Sequence, residues 1–393
     1  MRRASDGRSP LLNHRAATAN VPIRIRIALK LLPAIAMLLP GTVVVAQPDA
    51  TPRVQALRSA HSGASDTTLR ELRSIAKRKE TTVLATRIEA LLGDQSLEPA
   101  ARERLLETGA ILLGGLAPDA NARRLLERIS KLEPQTWVWL EEGGHRAAVP
   151  LYDPAAAARV AQRGWRAREY ETRLVAKLAA AEQGLIDDLA RARPAERTGA
   201  LSAVARTPDT TLLRLKPELM AALERGAAVG WFAAEVAART GDTDLARSVI
   251  KHAGSRDALD MLAALGERLG PEGALPLLRL SLRDPALASH SLFILARFGP
   301  VSPDAMTLIW KELENQDNGG SAAAALARVS DPAVAVRAAA IVADPARDSA
   351  HRRRALLSLC LDGGDIAQRH LQLLTVSLDD SDLGREARQC AGR

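Results

Sequence analysis

Residues 264–299 read ALGERLGPEGALPLLRLSLRDPALASHSLFILARFG. Apolar residues recur here at three- and four-residue intervals, the spacing of a helix with one buried face. Gly270 and Gly299 sit where helices stop, and Asp284-Pro285 sits where one starts. Asp offers an acceptor to free N–H groups, and Pro suits a first position that needs no donor. The block is therefore read as two antiparallel helices joined by a short turn. Its closing phrase recurs along the chain: Ala205-Arg206-Thr207, Ala238-Arg239-Thr240-Gly241, Arg268-Leu269-Gly270, Ala296-Arg297-Phe298-Gly299, Ala327-Arg328-Val329-Ser330, and a degenerate Leu361-Asp362-Gly363. The Arg positions, or their equivalents, fall at 206, 239, 268, 297, 328 and 361, an even spacing of the length that helical-hairpin repeats have. An Arg in a last helical turn is favoured by the helix dipole, and Gly permits the stop. One such pair cannot bury its own apolar face, so the units must stack.

Within the quoted block, Ala264-Leu265-Gly266, Gly270, Ala274-Leu275-Pro276, Leu280, Asp284-Pro285 and Gly299 resemble the short HEAT-like repeat named after phycobilisome lyases, and Asp331-Pro332 with Val334 and Val336-Arg337 echoes it. The resemblance covers roughly 200–365. Ser289-His290 replaces the Arg that the pattern places after Asp-Pro, and the unit at 300–330 has no Asp-Pro before its second helix. What the resemblance implies is an all-α fold, a right-handed α-solenoid of antiparallel hairpins. It implies no lyase chemistry, because such repeats also serve proteins that catalyse nothing.

Upstream, Asp66 is placed as the cap of a helix through Leu69, Leu72 and Ile75. Further helices are read at 82–92, from Pro99 to Leu113, and from Asp119 to Leu132. The segments expected are a signal peptide (1–46), a flexible linker (47–65), helical hairpins (66–134), an aromatic-rich β-finger with its following helix (135–170) and the repeat array (171–393).

The first segment carries Arg2, Arg3, Arg8, Arg15, Arg24, Arg26 and Lys30, then an uncharged apolar run at 31–45 and Val44-Val45-Ala46. That is the layout of a secretion signal cleaved after Ala46, leaving a periplasmic or secreted chain. The run is short for a bilayer core of about 30 Å, so no stable span is expected after cleavage. The whole chain has 54 basic and 46 acidic residues; the remainder after Ala46 has 47 and 45, a net charge of +2. A nucleic-acid binder needs a basic excess, and the sum opposes one.

Residues 135–152 (QTWVWLEEGGHRAAVPLY) break the helical period. They read as two short strands, a β-hairpin near 136–152 turning at 141–144. Half of the chain's ten aromatics, Trp137, Trp139, Tyr152, Trp165 and Tyr170, cluster in this short stretch and the helix after it. Two readings stand: rings packed on neighbouring helices, or a binding finger in which Trp137, Trp139, His145, Tyr152 and Trp165 contact a partner, since Trp and Tyr bury much area at low entropy cost.

The seven His show no metal-ligand spacing, and the chain has no phosphate loop, dinucleotide fingerprint or nucleophile elbow. No cofactor or metal is expected. The adjacent pairs Asp187-Asp188 and Asp379-Asp380 read as solvated surface, and Arg352-Arg353-Arg354 as a solvated helix start or a phosphate site. Cys360 and Cys390 are the only cysteines, separated by close to one repeat length. Stacked helices lie about 10 Å apart, whereas a disulfide needs Cα atoms within about 7 Å. A tail near Cys390 that bends back would close the gap, so both states stay open. The functional expectation is a non-catalytic exported scaffold that holds a protein or envelope component, with no nucleic-acid partner. The alternatives are a lyase-like or hydrolytic enzyme beside Trp137, His145 and Tyr152, and a helical-repeat nucleic-acid binder.

Overall fold

The structure is a computed structural model and describes residues 66–142, 145–329, 331–378 and 381–392. The expected leader and linker, and the pair Asp379-Asp380, lie outside the described residues. The described residues are almost wholly helical, with one two-stranded antiparallel sheet among them.

Four helices come first: α1 (Asp66–Lys77), α2 (Thr81–Gly93), α3 (Pro99–Gly114) and α4 (Ala120–Ile129). Asp66 lies inside the first turn rather than capping it. The hairpin follows, β1 (Trp137–Glu142) and β2 (His145–Pro150), so Glu141 and Glu142 belong to a strand and not to the turn. Next come α5 (Pro154–Ala180), α6 (Leu185–Ala190), α7 (Pro194–Arg206), α8 (Asp209–Arg214), α9 (Lys216–Glu224), α10 (Gly230–Thr240) and α11 (Thr243–His252). The last part holds α12 (Ser255–Ser281), α13 (Pro285–Phe298), α14 (Pro303–Glu314), α15 (Gly319–Leu326), α16 (Pro332–Ala343), α17 (Ser349–Asp362), α18 (Asp365–Ser377) and α19 (Asp382–Ala391).

The local signals explain these bounds. Asp119, Asp153, Asp242, Asp284, Asp331 and Asp348 each accept a hydrogen bond from a backbone N–H of the first turn. Gly241 and Gly363 close α10 and α17 in the left-handed region, at φ 73° and 66°. Gly270, at φ 65° and ψ −173°, breaks α12 into two helical pieces where the sequence places a stop.

Helices pack on near neighbours along the chain. α10 meets α11 and α12, α13 meets α15, α15 meets α17, and α16 meets α18. The recurring Arg residues reach back across these steps. Arg206 pairs with Glu171 at 2.9 Å, Arg239 with Asp209 at 3.3 Å and Arg297 with Glu267 at 3.1 Å. Arg268 shares Asp209 at 3.6 Å, and the Arg328 guanidinium lies 4.1 Å over the Phe293 ring. The recurring arginines thus tie the ends of the units to earlier elements of the array, Arg206, Arg268, Arg297 and Arg328 each reaching the unit before. Arg352, Arg353 and Arg354 also make ties between elements: they bond the Val342 carbonyl, Glu386, and the carbonyls of Leu313 and Glu314. The triplet lies at the start of α17 as expected, with Arg353 exposed and Arg352 and Arg354 half-buried, so its solvation is partial.

Two main cores form. One gathers residues between Leu69 and Trp165, the other residues between Leu174 and Ala387. The 27-residue α5 serves both, which places the expected boundary at 170/171 inside a continuous helix. Its first half buries Ala158, Ala161 and Trp165 in the first core, and its second half buries Leu174 and Leu178 in the second. At 100° per residue these two sets lie on nearly opposite sides of the helix.

Cys360 on α17 and Cys390 on α19 form a disulfide with Cα atoms 5.3 Å apart. Gly384 and Ala387 are buried on α19, and Cys390 follows at the same three-residue step. Small residues on that face let the last helix approach more closely than ordinary stacked helices do.

Candidate functional site: the tryptophan hairpin

The hairpin register pairs Trp137 with Pro150, Val138 with Val149, Trp139 with Ala148 and Glu142 with His145. Side chains alternate across a strand, so Trp137 and Trp139 share one face and Val138 takes the other. Val138 packs against Ala100, Leu151 and Tyr152, a small apolar cluster at the hairpin base. The opposite face looks outward: Trp137 is 52% exposed and Trp139 58%. The Trp137 indole N–H donates to the Pro134 carbonyl at 3.0 Å, which fixes the ring while leaving its faces open.

What holds the base is Glu103 on α3, a carboxylate only 4% exposed. It accepts from the backbone N–H of Gln135, and from that of Thr136 at 3.1 Å. A buried carboxylate of this kind is stabilised by charge-assisted bonds to two otherwise orphaned donors. Leu151 N–H donates to the Thr136 carbonyl at 2.9 Å and closes the neck. Sequence reasoning missed Glu103. The available signal was one carboxylate on the buried side of its helix, beside Ala100, Leu106 and Ala110.

The five residues expected as a contact set therefore separate. Trp137 and Trp139 lie together and outward. Tyr152, 3% exposed, and Trp165, 1% exposed, are buried and offer no surface to a partner, which corrects the expectation for both. Trp165 donates its indole N–H to the Leu116 carbonyl at 2.9 Å, and Arg123 lies over its ring. It is a core residue of the first cluster. His145 opens β2, paired with Glu142 across the turn. The reading in which the rings pack on helices holds for Tyr152 and Trp165, whereas Trp137 and Trp139 stay about half exposed.

Two grooves lie elsewhere, and no hairpin residue lines either. One, of about 600 Å³, is lined by Arg279, Arg283, Asp304, Lys311 and Glu312 among others. The second, of about 250 Å³, lies between α14, α16 and α17. In it the Arg337 guanidinium stacks 4.5 Å from the Trp310 ring centre, and Arg347 pairs with Glu314 and Asp344 at 3.6 and 3.4 Å. His351 lines this groove but is 7% exposed, with Nε2 buried and unpaired. Burial pushes its imidazole below the ordinary histidine range. Among the described residues no group of three His, Cys, Asp or Glu side chains is placed to hold a metal ion, and no helix is long and apolar enough to cross a membrane.

No family model, no curated protein and no solved structure matches this chain.

Proposed function

We propose that this protein is an exported, non-catalytic scaffold: an α-solenoid of hairpins similar to short HEAT-like repeats, which holds a protein partner of the cell envelope through the outward face of its tryptophan hairpin. The observation that carries the reading is the exposure of Trp137 and Trp139 on one face of a strand whose other face is anchored. Two ordered indoles left half in water give up apolar area that only a partner would recover, and Trp is enriched where partners bury a central contact. The near-neighbour packing and the Arg contacts between successive units support the solenoid. The secretion-type leader supports export. The burial of Tyr152 counts against the enzymatic alternative beside Trp137, His145 and Tyr152.

The test replaces Trp139 with a photo-crosslinking amino acid, and Leu213, an exposed residue on α8, with the same one as a control. Ultraviolet irradiation of intact cells should give a discrete adduct from position 139 only. Trp137→Ala should weaken that adduct by at least fivefold while the melting temperature stays within about 1 °C, a shift under about 1 kcal/mol in a chain of this size. Equal labelling at both positions, or a large drop in melting temperature with labelling intact, would return the hairpin to a packing role.

A further inference from the structure

Helix α5 carries a second surface, and it does not depend on the hairpin reading. Arg159, Arg163, Arg166, Tyr170, Arg173 and Lys177 stand at i, i+4, i+7, i+11, i+14 and i+18. At 100° per residue they fall within about 40° of a common line, and the row is about 27 Å long. The four arginines are exposed, and Tyr170 and Lys177 are half-buried. The four arginines stay clear of both cores because the buried face of α5 crosses from one side of the helix to the other beneath them, while Tyr170 packs partly against the second core.

The carboxylates around the four arginines are paired with other cations, though Glu127 also feels the Arg166 charge at longer range. Glu127 pairs with Lys131, Glu169 with Arg123, and Glu171 with Arg206. Glu182 and Asp188 both pair with Lys177. Arg163 and Arg166 have no ion-pair or hydrogen-bond partner among the described residues. Arg159 donates to the Ser130 carbonyl at 3.1 Å, and Arg173 lies over Tyr170 at 5.8 Å. Four guanidinium charges in a line thus face water without a paired counter-charge, in a chain that after Ala46 is close to neutral overall.

We propose that this row docks the protein peripherally on an anionic phospholipid surface, the arginines taking the headgroup phosphates. The guanidinium fork matches a phosphate in a bidentate way. A straight row meets a flat sheet along its whole length, and mobile headgroups supply a phosphate to each arginine with no register to match. An acidic protein would need carboxylates fixed at the same spacing, and a duplex carries its phosphates along a curve that a straight row meets at few points. Tyr170, half-buried within the row, is of a residue type that settles at a membrane–water boundary.

Among the described residues every core residue lies between Leu69 and Ala387, so the assay uses a chain begun at Gln47, without the apolar leader, once circular dichroism shows it folded like the full chain. That chain is floated with vesicles of phosphatidylcholine alone, or with three parts in ten phosphatidylglycerol, at 50 and 500 mM salt. Binding is expected on the anionic vesicles only and should fall with salt. The quadruple variant Arg159→Gln/Arg163→Gln/Arg166→Gln/Arg173→Gln should bind at least 100-fold more weakly, since each cation near such a surface contributes about fivefold. Its circular dichroism and melting curve serve as the folding check. The pair Arg279→Gln/Arg283→Gln, elsewhere on the surface, should leave binding unchanged. Equal binding by the folded quadruple variant, no binding by the wild type, or stronger capture of the wild type by polyglutamate or duplex DNA than by anionic vesicles would each overturn the proposal. Trp137→Ala in the same assay separates it from the hairpin reading, because a failed photo-adduct leaves the charge-dependent binding intact.

Discussion

Gly199 on α7 faces the backbone of α5, and replacing it with alanine sets two effects of opposite sign against each other. An added Cβ would overlap the Ala167 carbonyl oxygen, and would stand 2.9 Å from its carbon and 3.1 Å from the Glu171 nitrogen. All three atoms are backbone, so no side chain can rotate out of the way. Relief requires the two helices to part by about 1 Å, and a gap of that size forfeits a quarter to a half of each local van der Waals contact. The neighbours that would lose contact are Ala200, Ala203 and Val204, each fully buried. Overpacking of this kind costs about 1–3 kcal/mol, often at the upper end where the obstacle is rigid. Against it stands the helix propensity of Ala over Gly, worth about 1 kcal/mol.

The steric effect wins, so Gly199→Ala should destabilise by about 1–2 kcal/mol net, and Gly199→Val by more. Gly320→Ala is the matched control: it sits in α15 with nothing within 4 Å of an added Cβ. It should stabilise by about 0.5–1 kcal/mol. Urea unfolding followed by circular dichroism at 222 nm reads both. A Gly199→Ala protein as stable as Gly320→Ala would show that α5 and α7 do not cross this closely and would refute that packing.

Thiol titration of the denatured, unreduced protein should find no free thiol and, after reduction, two; Cys360→Ser should cost about 3–4 kcal/mol from the chain entropy of the loop that the bond closes. His351 is buried with its pKa lowered, so the unfolded chain takes up the proton first. The stability of the neutral form is present above about 6.5 and is lost as pH falls below it, with Glu314 and Asp348 opposing and Arg347 and Arg354 reinforcing the loss. His351→Gln should flatten the fall in melting temperature between pH 7.5 and 5, and an unchanged slope would count against it. Thr172→Pro, at an exposed position in mid-α5, should cost about 3 kcal/mol and split one calorimetric transition into two, since it breaks the element that both cores share.

Much of this was legible in the sequence because it is local. Asp-Pro starts, Gly stops and the helical period rest on contacts within a turn or two, and they place α13, α16 and the Gly270 break correctly. The hairpin was legible for the same reason, as alternation around 137–150. What local signals cannot carry is the direction of a side chain relative to distant elements. Trp139 and Trp165 have the same composition argument behind them, yet one faces water and the other lies in a core. The recurring Arg residues read as dipole partners alone, because their carboxylates, such as Glu171 for Arg206, lie a whole unit back along the chain. The α5 row was open to reading: Arg159, Arg163, Arg166 and Arg173 form a line once the segment is taken as one helix, but a boundary at 170 divides it.

That boundary also hides what α5 does for the architecture. A helix between two cores has to turn its apolar face from one to the other, and it does so between Trp165 and Leu174. A rigid rod with two buried faces must keep the remaining length of its surface in water, where long charged side chains cost least. Alternating acids and bases would satisfy that condition equally well, as Lys177 with Glu182 and Asp188 does at the end of the helix. Solvation alone therefore explains why the row is charged, but not why its four arginines carry the same sign with their nearest carboxylates drawn to other cations. Self-repulsion along an exposed helix is unfavourable. It is offset when an external anion neutralises the row, which is why the sign pattern rather than the exposure is taken as the mark of a surface built to meet something.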